Sequence, residues 1–221
     1  MTRQRSTKKA RRPSRRPKAQ QARSKETVQR ILDSAMALTA EKGDAVTMSD
    51  IARRSGVVIG AVYRYFADKR AINRAILLQH FAQVEAMLRE HIWPAATAAE
   101  FVLTVQSVYE LYFEMHQRDP LYRNIWSLVQ TDPELQALDI EDSLKNAQIF
   151  YDMARPFFPA ADSEDLMAVC VFLLHFSASS SRLALALPKA LGLRMRPIYK
   201  DVIADALHGL VGTKGKRVTG R

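Results

Sequence analysis

The stretch TMSDIARRSGVVIGAVYRYFADK, residues 47–69, decides how this chain is read. Two short helices that cross steeply through a three-residue turn need a small residue where the second approaches the first. They also need a glycine in the turn and an apolar residue on the second helix to fill the angle. Ala52, Gly56 and Val62 stand at those positions, with Ile51 and Val57 as supporting core. Thr47 is placed to accept an N–H bond from the next turn, and Asp50, three residues on, favours the positive end of the helix dipole. Gly56 stops the first of the two helices after about two turns, and the second covers about Val58 to Phe66. The pattern is a helix-turn-helix, in which the second helix is presented to the major groove of duplex DNA.

Outward from this stretch the chain reads as helix throughout. Upstream, Val28, Ile31, Leu32, Ala35 and Leu38 recur at three- and four-residue steps, which predicts an amphipathic helix capped by Ser24 and ended near Gly43. Downstream, Asp68 is placed to cap a long helix with the buried stripe Ile72, Ile76, Leu77, Phe81, Val84 and Leu88, closed by Pro94. Proline and glycine punctuation then predicts helices over about 98–118, 121–130, 134–155, 163–187 and, from Pro197 to Gly212, 197–210. There is no fixed-period repeat and no sustained Val/Ile/Thr alternation, so the expected class is all-α with about nine helices, three short ones in front and six behind.

Charge divides the chain differently. The whole carries 33 Lys and Arg against 23 Asp and Glu, for a formal charge of +10, but residues 1–25 and 213–221 hold basic residues and no acid. The body between them is mildly acidic, and the tails carry the polycation. The N-terminal tail, residues 1–23, is expected to be disordered and to add salt-dependent affinity for DNA through counterion release. It is Arg-rich like a transit peptide, yet its few alanines cannot build an amphipathic face. One cysteine, Cys170, cannot form an internal disulfide, which points to a reducing compartment and a cytoplasmic location. The most apolar run, Leu166–Leu187, is broken by His175, Arg182 and several serines, so no membrane span is expected.

The segment of residues 24–75 closely resembles the N-terminal domain of the tetracycline-repressor (TetR) family of bacterial transcriptional regulators. The residues that carry the likeness are Thr47, Ile51-Ala52, Gly56-Val57, Gly60, Tyr63, Phe66 and Lys69. The resemblance implies that Thr47 caps its helix and contacts phosphate, that backbone at Gly60 approaches the DNA closely, and that Tyr63 and Lys69 bond phosphates. Ile59, Ala61 and Arg64 lie where base edges or backbone are reached, and Arg64 is the residue to expect on a guanine; Tyr65 belongs to the same DNA-facing set. Val58 departs from the family, which often has a capping serine there, and Ile59 replaces a polar residue or lysine. Either the helix start is capped by water, or Val58 and Ile59 touch thymine methyl groups.

By the same resemblance the organisation is a basic tail over 1–23, a DNA-binding domain over 24–70, an effector-binding and dimerisation domain over 71–212, and a basic tail over 213–221. Rings suggest an effector pocket from Tyr109, Tyr112, Trp126, Phe150, Tyr151, Phe172 and Phe176, which favours an apolar or aromatic ligand. The small residues Ser177, Ala178, Ser179, Ser180, Ser181 and Ala184 are candidates for close helix approach in a homodimer, whose two reading helices would meet a palindromic operator. No catalytic motif, phosphate loop or metal-spaced His/Cys set is present, so neither an enzyme nor a cofactor or metal site is expected. The expected function is a ligand-released repressor. An activator of the same fold and a sequence-tolerant architectural DNA binder are the alternatives.

Overall fold

The computed structural model describes residues 16–91 and 95–212, and all of its regular structure is helical. The described elements are α1 (Arg16–Lys42), α2 (Met48–Ser55), α3 (Ile59–Tyr65), α4 (Lys69–His91), α5 (Ala98–Arg118), α6 (Pro120–Thr131), α7 (Pro133–Ala154), α8 (Ser163–Ala186) and α9 (Lys189–Gly212), with a single 3₁₀ turn at Gly43–Ala45. Most starts are fixed by a side chain that accepts orphan N–H groups. Asp68 Oδ1 accepts from Ala71 N at 2.8 Å, Thr97 caps α5, and Asp119, Asp132 and Asp162 cap α6, α7 and α8. In α6 and α7 the residue after the aspartate is proline, whose fixed φ suits the first helical position and whose missing N–H costs nothing there.

Two starts differ from the sequence reading. The first helix begins at Arg16, so residues 16–23 of the expected disordered tail are helical, and residues 1–15 and 213–221 lie outside the described residues. Ser24 is therefore inside α1, and its hydroxyl donates to Tyr65 Oη at 3.1 Å rather than capping a helix. The last helix begins at Lys189, with Pro197 in its interior. The carbonyl of Pro188 accepts from Leu191 and Gly192 and makes the first turn, while Gly192 lets the backbone of α9 close onto the carbonyl of Ala184 in α8. Packing along α8 outweighs the roughly 3 kcal/mol that an interior proline costs a helix.

Two cores result. The first joins Ile31, Leu32, Ala35 and Leu38 of α1 to Ile51, Val62 and the first half of α4, and it also takes in Leu121, Ile125, Trp126 and Val129 of α6. The second gathers Val84 and Leu88 of α4 with Phe101, Tyr109, Phe113, Phe150, Leu166, Leu173, Ile203 and Leu207. The helix α4, about 34 Å long at 1.5 Å per residue, belongs to both. Of the small residues on α8, Ser181 and Ala184 are buried within the chain, while Ser177, Ala178, Ser179 and Ser180 are half-buried. The segment Ser163–Ala186 is long and apolar enough to cross a membrane by composition, yet Leu166, Cys170 and Leu173 on it are core residues of this fold.

Candidate nucleic-acid interface and internal cavity

The head, α1 to α3, is set by three local devices. Thr47 and Asp50 form a reciprocal capping box: Asp50 N donates to Thr47 Oγ1 at 3.1 Å, and Thr47 N donates to Asp50 Oδ2 at 3.2 Å. Hydrogen bonds donated to it by the Thr47 hydroxyl and by the Thr47 N–H hold the Asp50 carboxyl below its ordinary value. Gly56 ends α2 at φ +68°, the left-handed region that favours glycine, and its N–H returns to the carbonyl of Ala52. Val62, fully buried, then pins α3 against Ile51 and Ala52.

That anchoring leaves the opposite face of α3 open. Val58 is 76 % exposed, Tyr63 53 % and Ile59 41 %. A Cβ added at Gly60 would meet nothing within 4 Å, so a ligand as broad as a duplex can approach the backbone there. Val58 leaves the start of α3 without a side-chain cap; its carbonyl accepts from Ala61 N at 2.8 Å. Ala61 is half-buried and Arg64 exposed.

Three expected contacts are partly occupied. The Thr47 hydroxyl donates to Asp50 Oδ2 at 2.8 Å. The Lys69 ammonium lies 2.6 Å from Asp44 Oδ1 and also donates to the Asp44 carbonyl, clasping the joint before α2. Tyr65 does not share the open face: it is half-buried, and its Oη accepts from Ser24 and from Arg64 Nη2 at 2.9 Å, while the Arg64 guanidinium lies 4.8 Å from its ring centre. One residue step turns a helix by about 100°, which carries Tyr65 back towards α1, where it also braces Arg64.

A cavity of about 70 Å³ opens among α4, α5, α6, α7, α8 and α9, several times the ~10–15 Å³ that one water needs. Of the seven expected pocket residues, Tyr109, Tyr112, Trp126 and Phe150 line it. Tyr151, Phe172 and Phe176 do not. Tyr151 lies one step round α7 from Phe150, and Phe172 and Phe176 stack on each other on the outer side of α8, 44 % and 48 % exposed. The cavity-facing side of α8 is Cys170, Leu173, Leu174 and Ser177.

The sequence reading missed the polar side of this wall. Asp139, Asp142, Ser143, Asn146 and Phe150 recur at helical spacing on α7 and all face the cavity. Burial pushes the Asp142 carboxyl up to about 6 and raises Asp139 as well. Across from them His80 and His116 meet edge to face at 5.3 Å, and burial holds their imidazoles down to about 3 and about 4. The signal was present as acids and an amide on an otherwise buried stripe of α7.

Residues 31–76 match the family model described as bacterial regulatory proteins of the tetR family, and residues 100–210 match the tetracyclin repressor-like C-terminal domain, which alone spans half of the chain. The chain belongs to the TetR family. Among curated relatives, an HTH-type transcriptional regulator of Staphylococcus aureus is 34 % identical over 84 residues, covering 34 % of this chain and 44 % of that protein. The HTH-type transcriptional repressor KstR of Rhodococcus jostii is 36 % identical over 63 residues, covering 28 % of this chain and 30 % of KstR. The chain thus spans less than half the length of the curated relatives it matches. Solved TetR-family structures share the fold. A Streptomyces coelicolor regulator aligns at TM-score 0.63 and 20 % identity over 84 % of this chain and 98 % of that one. Thermus thermophilus FadR, solved with lauroyl-CoA, aligns at TM-score 0.52 and 18 % identity over 87 % and 98 %.

Proposed function

We propose that this TetR-family chain is a sequence-specific DNA-binding transcriptional regulator, a cytoplasmic homodimer that represses until a small molecule fills the cavity. One observation carries the reading: α3 is locked by buried Val62 and left-handed Gly56 while Val58, Ile59, Gly60, Tyr63 and Arg64 stand open on its far side. A helix so held has a rigid apolar root and a free face, which is what insertion into a major groove requires. Tyr63 supplies a phosphate bond, Val58 and Ile59 suit thymine methyls, and Arg64, held by Tyr65, suits a guanine. Lys69 reaches phosphate by exchanging its Asp44 contacts.

Exposed Phe172, Phe176 and Leu183 on α8 and Ile198 and Val202 on α9 support a dimer face on the last two helices. Two-fold pairing there gives two reading helices and a palindromic operator. An effector shifts such a dimer only by binding one arrangement of the heads more tightly than the other. The experiment is selection from a randomised duplex pool followed by footprinting. A palindromic protected site is the expected result. Diffuse protection without a consensus would favour the architectural reading. Tyr63→Phe should weaken the selected duplex roughly fivefold to tenfold, the worth of one phosphate hydrogen bond, and leave thermal stability unchanged.

A further inference from the structure

The cavity has an aromatic side, Tyr112, Trp126 and Phe150, and an acidic side, Asp139 and Asp142. No lysine or arginine lines it. Among the described residues, no cation stands within ion-pair distance of either carboxylate. Lys145, on the same helix, is taken by Glu85 at 2.5 Å. The Arg182 guanidinium stacks on the Trp126 ring, 4.4 Å from its centre, and bonds Ser179, so it acts on Asp139 only at longer range. His175 and His80 also line the cavity: His175 is bonded to Ser143 at 3.0 Å and acts weakly on Asp139, and burial keeps His80 neutral.

Two further atoms await partners in the same wall. Asn146, 4 % exposed, donates from Nδ2 to Asp142 Oδ2 at 2.8 Å, and its buried Oδ1 has no partner. Trp126, also 4 % exposed, has an unpartnered buried Nε1–H. A buried acceptor without a donor is costly, and so is a half-buried carboxylate without a close ion-pair partner. The missing complement is a cation that donates hydrogen bonds, on a body that an aromatic wall can cover.

We propose that this cavity takes an amphipathic organic cation: a protonated amine on an apolar or planar body, its ammonium held by Asp142, Asp139 and the Asn146 carbonyl oxygen. The Trp126 N–H is then free for one acceptor atom on the body. The ligand class rests on the reading of this region as an effector domain and sharpens it from apolar or aromatic to cationic. Burial raises the Asp142 carboxyl to about 6, so below that pH an arriving ammonium displaces a carboxyl proton, and binding strengthens as pH rises to about 6 and above.

The test uses the full chain and three probes of one shape: phenethylamine, phenylethanol and phenylpropionate, with affinity read by quenching of tryptophan fluorescence. The amine should bind about tenfold or more tighter than either of the others, the scale of a charge-assisted hydrogen bond. Asp142→Asn keeps an oxygen for the Asn146 bond, should fold with a raised Tm, and should erase the preference; Asp139→Asn should reduce it. Equal or tighter binding of the alcohol or the acid, or a preference that survives Asp142→Asn in a folded protein, overturns the cationic assignment and leaves an effector cavity of another chemistry. Binding of none of the three overturns it too and removes support for an effector site. Failure of the duplex selection strikes the DNA-binding reading instead and leaves a demonstrated amine preference standing.

Discussion

In and beside the head, Thr47, Gly56 and Asp68 each act within four residues of themselves, and Val62 reaches only across one turn to Ile51 and Ala52. Around the cavity the lining side chains come from six helices, among them Tyr112, Trp126, Phe150 and Leu173, which lie far apart in sequence. The contrast teaches that a reading surface is built by local rules and an internal cavity by their sum. A surface of the first kind is broken by one side chain; one of the second kind gives way gradually.

The largest expected effect tests the first half of that contrast. Val62→Asp would bury an unpaired carboxylate where the side chain is wholly enclosed, at about 4 kcal/mol or more, seen as a collapsed urea midpoint and loss of duplex binding.

Acid comes next. His80 and His116 are held at about 3 and about 4 by burial, below the ordinary 6.5. The unfolded chain therefore takes up protons from pH 6.5 downward that the folded chain refuses. Their contribution is intact above pH 6.5 and is lost as pH falls towards 4, on the order of 3 kcal/mol or more. Asp142, raised to about 6, works in the opposite sense, since its penalty is relieved as pH falls through that value. Denaturant titrations across this range on Asp142→Asn should isolate the histidine loss, and a flat profile would show that the pair is solvated.

Paired truncations sharpen the comparison itself. Leu77 is wholly buried in the head core, and Leu77→Ala should cost about 3–4 kcal/mol. Leu174 borders space that is already empty, so Leu174→Ala should cost only about 1 kcal/mol, because fewer contacts are there to lose. Equal losses would mean that the cavity closes in solution. Smallest is Thr47→Ala, about 1 kcal/mol from the lost capping box, read in Tm.

Legibility followed the same division. Thr47, Asp68 and Gly56 were readable because caps and left-handed turns are chosen by chemistry next door in sequence. The stripes of α1 and α4 were readable because a helix repeats its buried face. Ser24 was misplaced because its partner, Tyr65, lies 41 residues away, and nothing near it announces that contact. Pro197 suggested a boundary by the usual local penalty, which packing against α8 overrode. Phe172 and Phe176 were assigned inward on ring character alone, whereas one step along α8 decides which side of it a residue takes. Asp139 and Asp142 went unnoticed because isolated acids on a helix are ordinarily solvated.

Trp126 has one flank in the core shared by α1, α4 and α6 and the other in the cavity wall. It is a party wall, one indole thick, between the chamber and the root of the reading head. Trimming that indole would therefore join the chamber to the core that seats α1 and α4, so its size sets how far the two interiors stay separate.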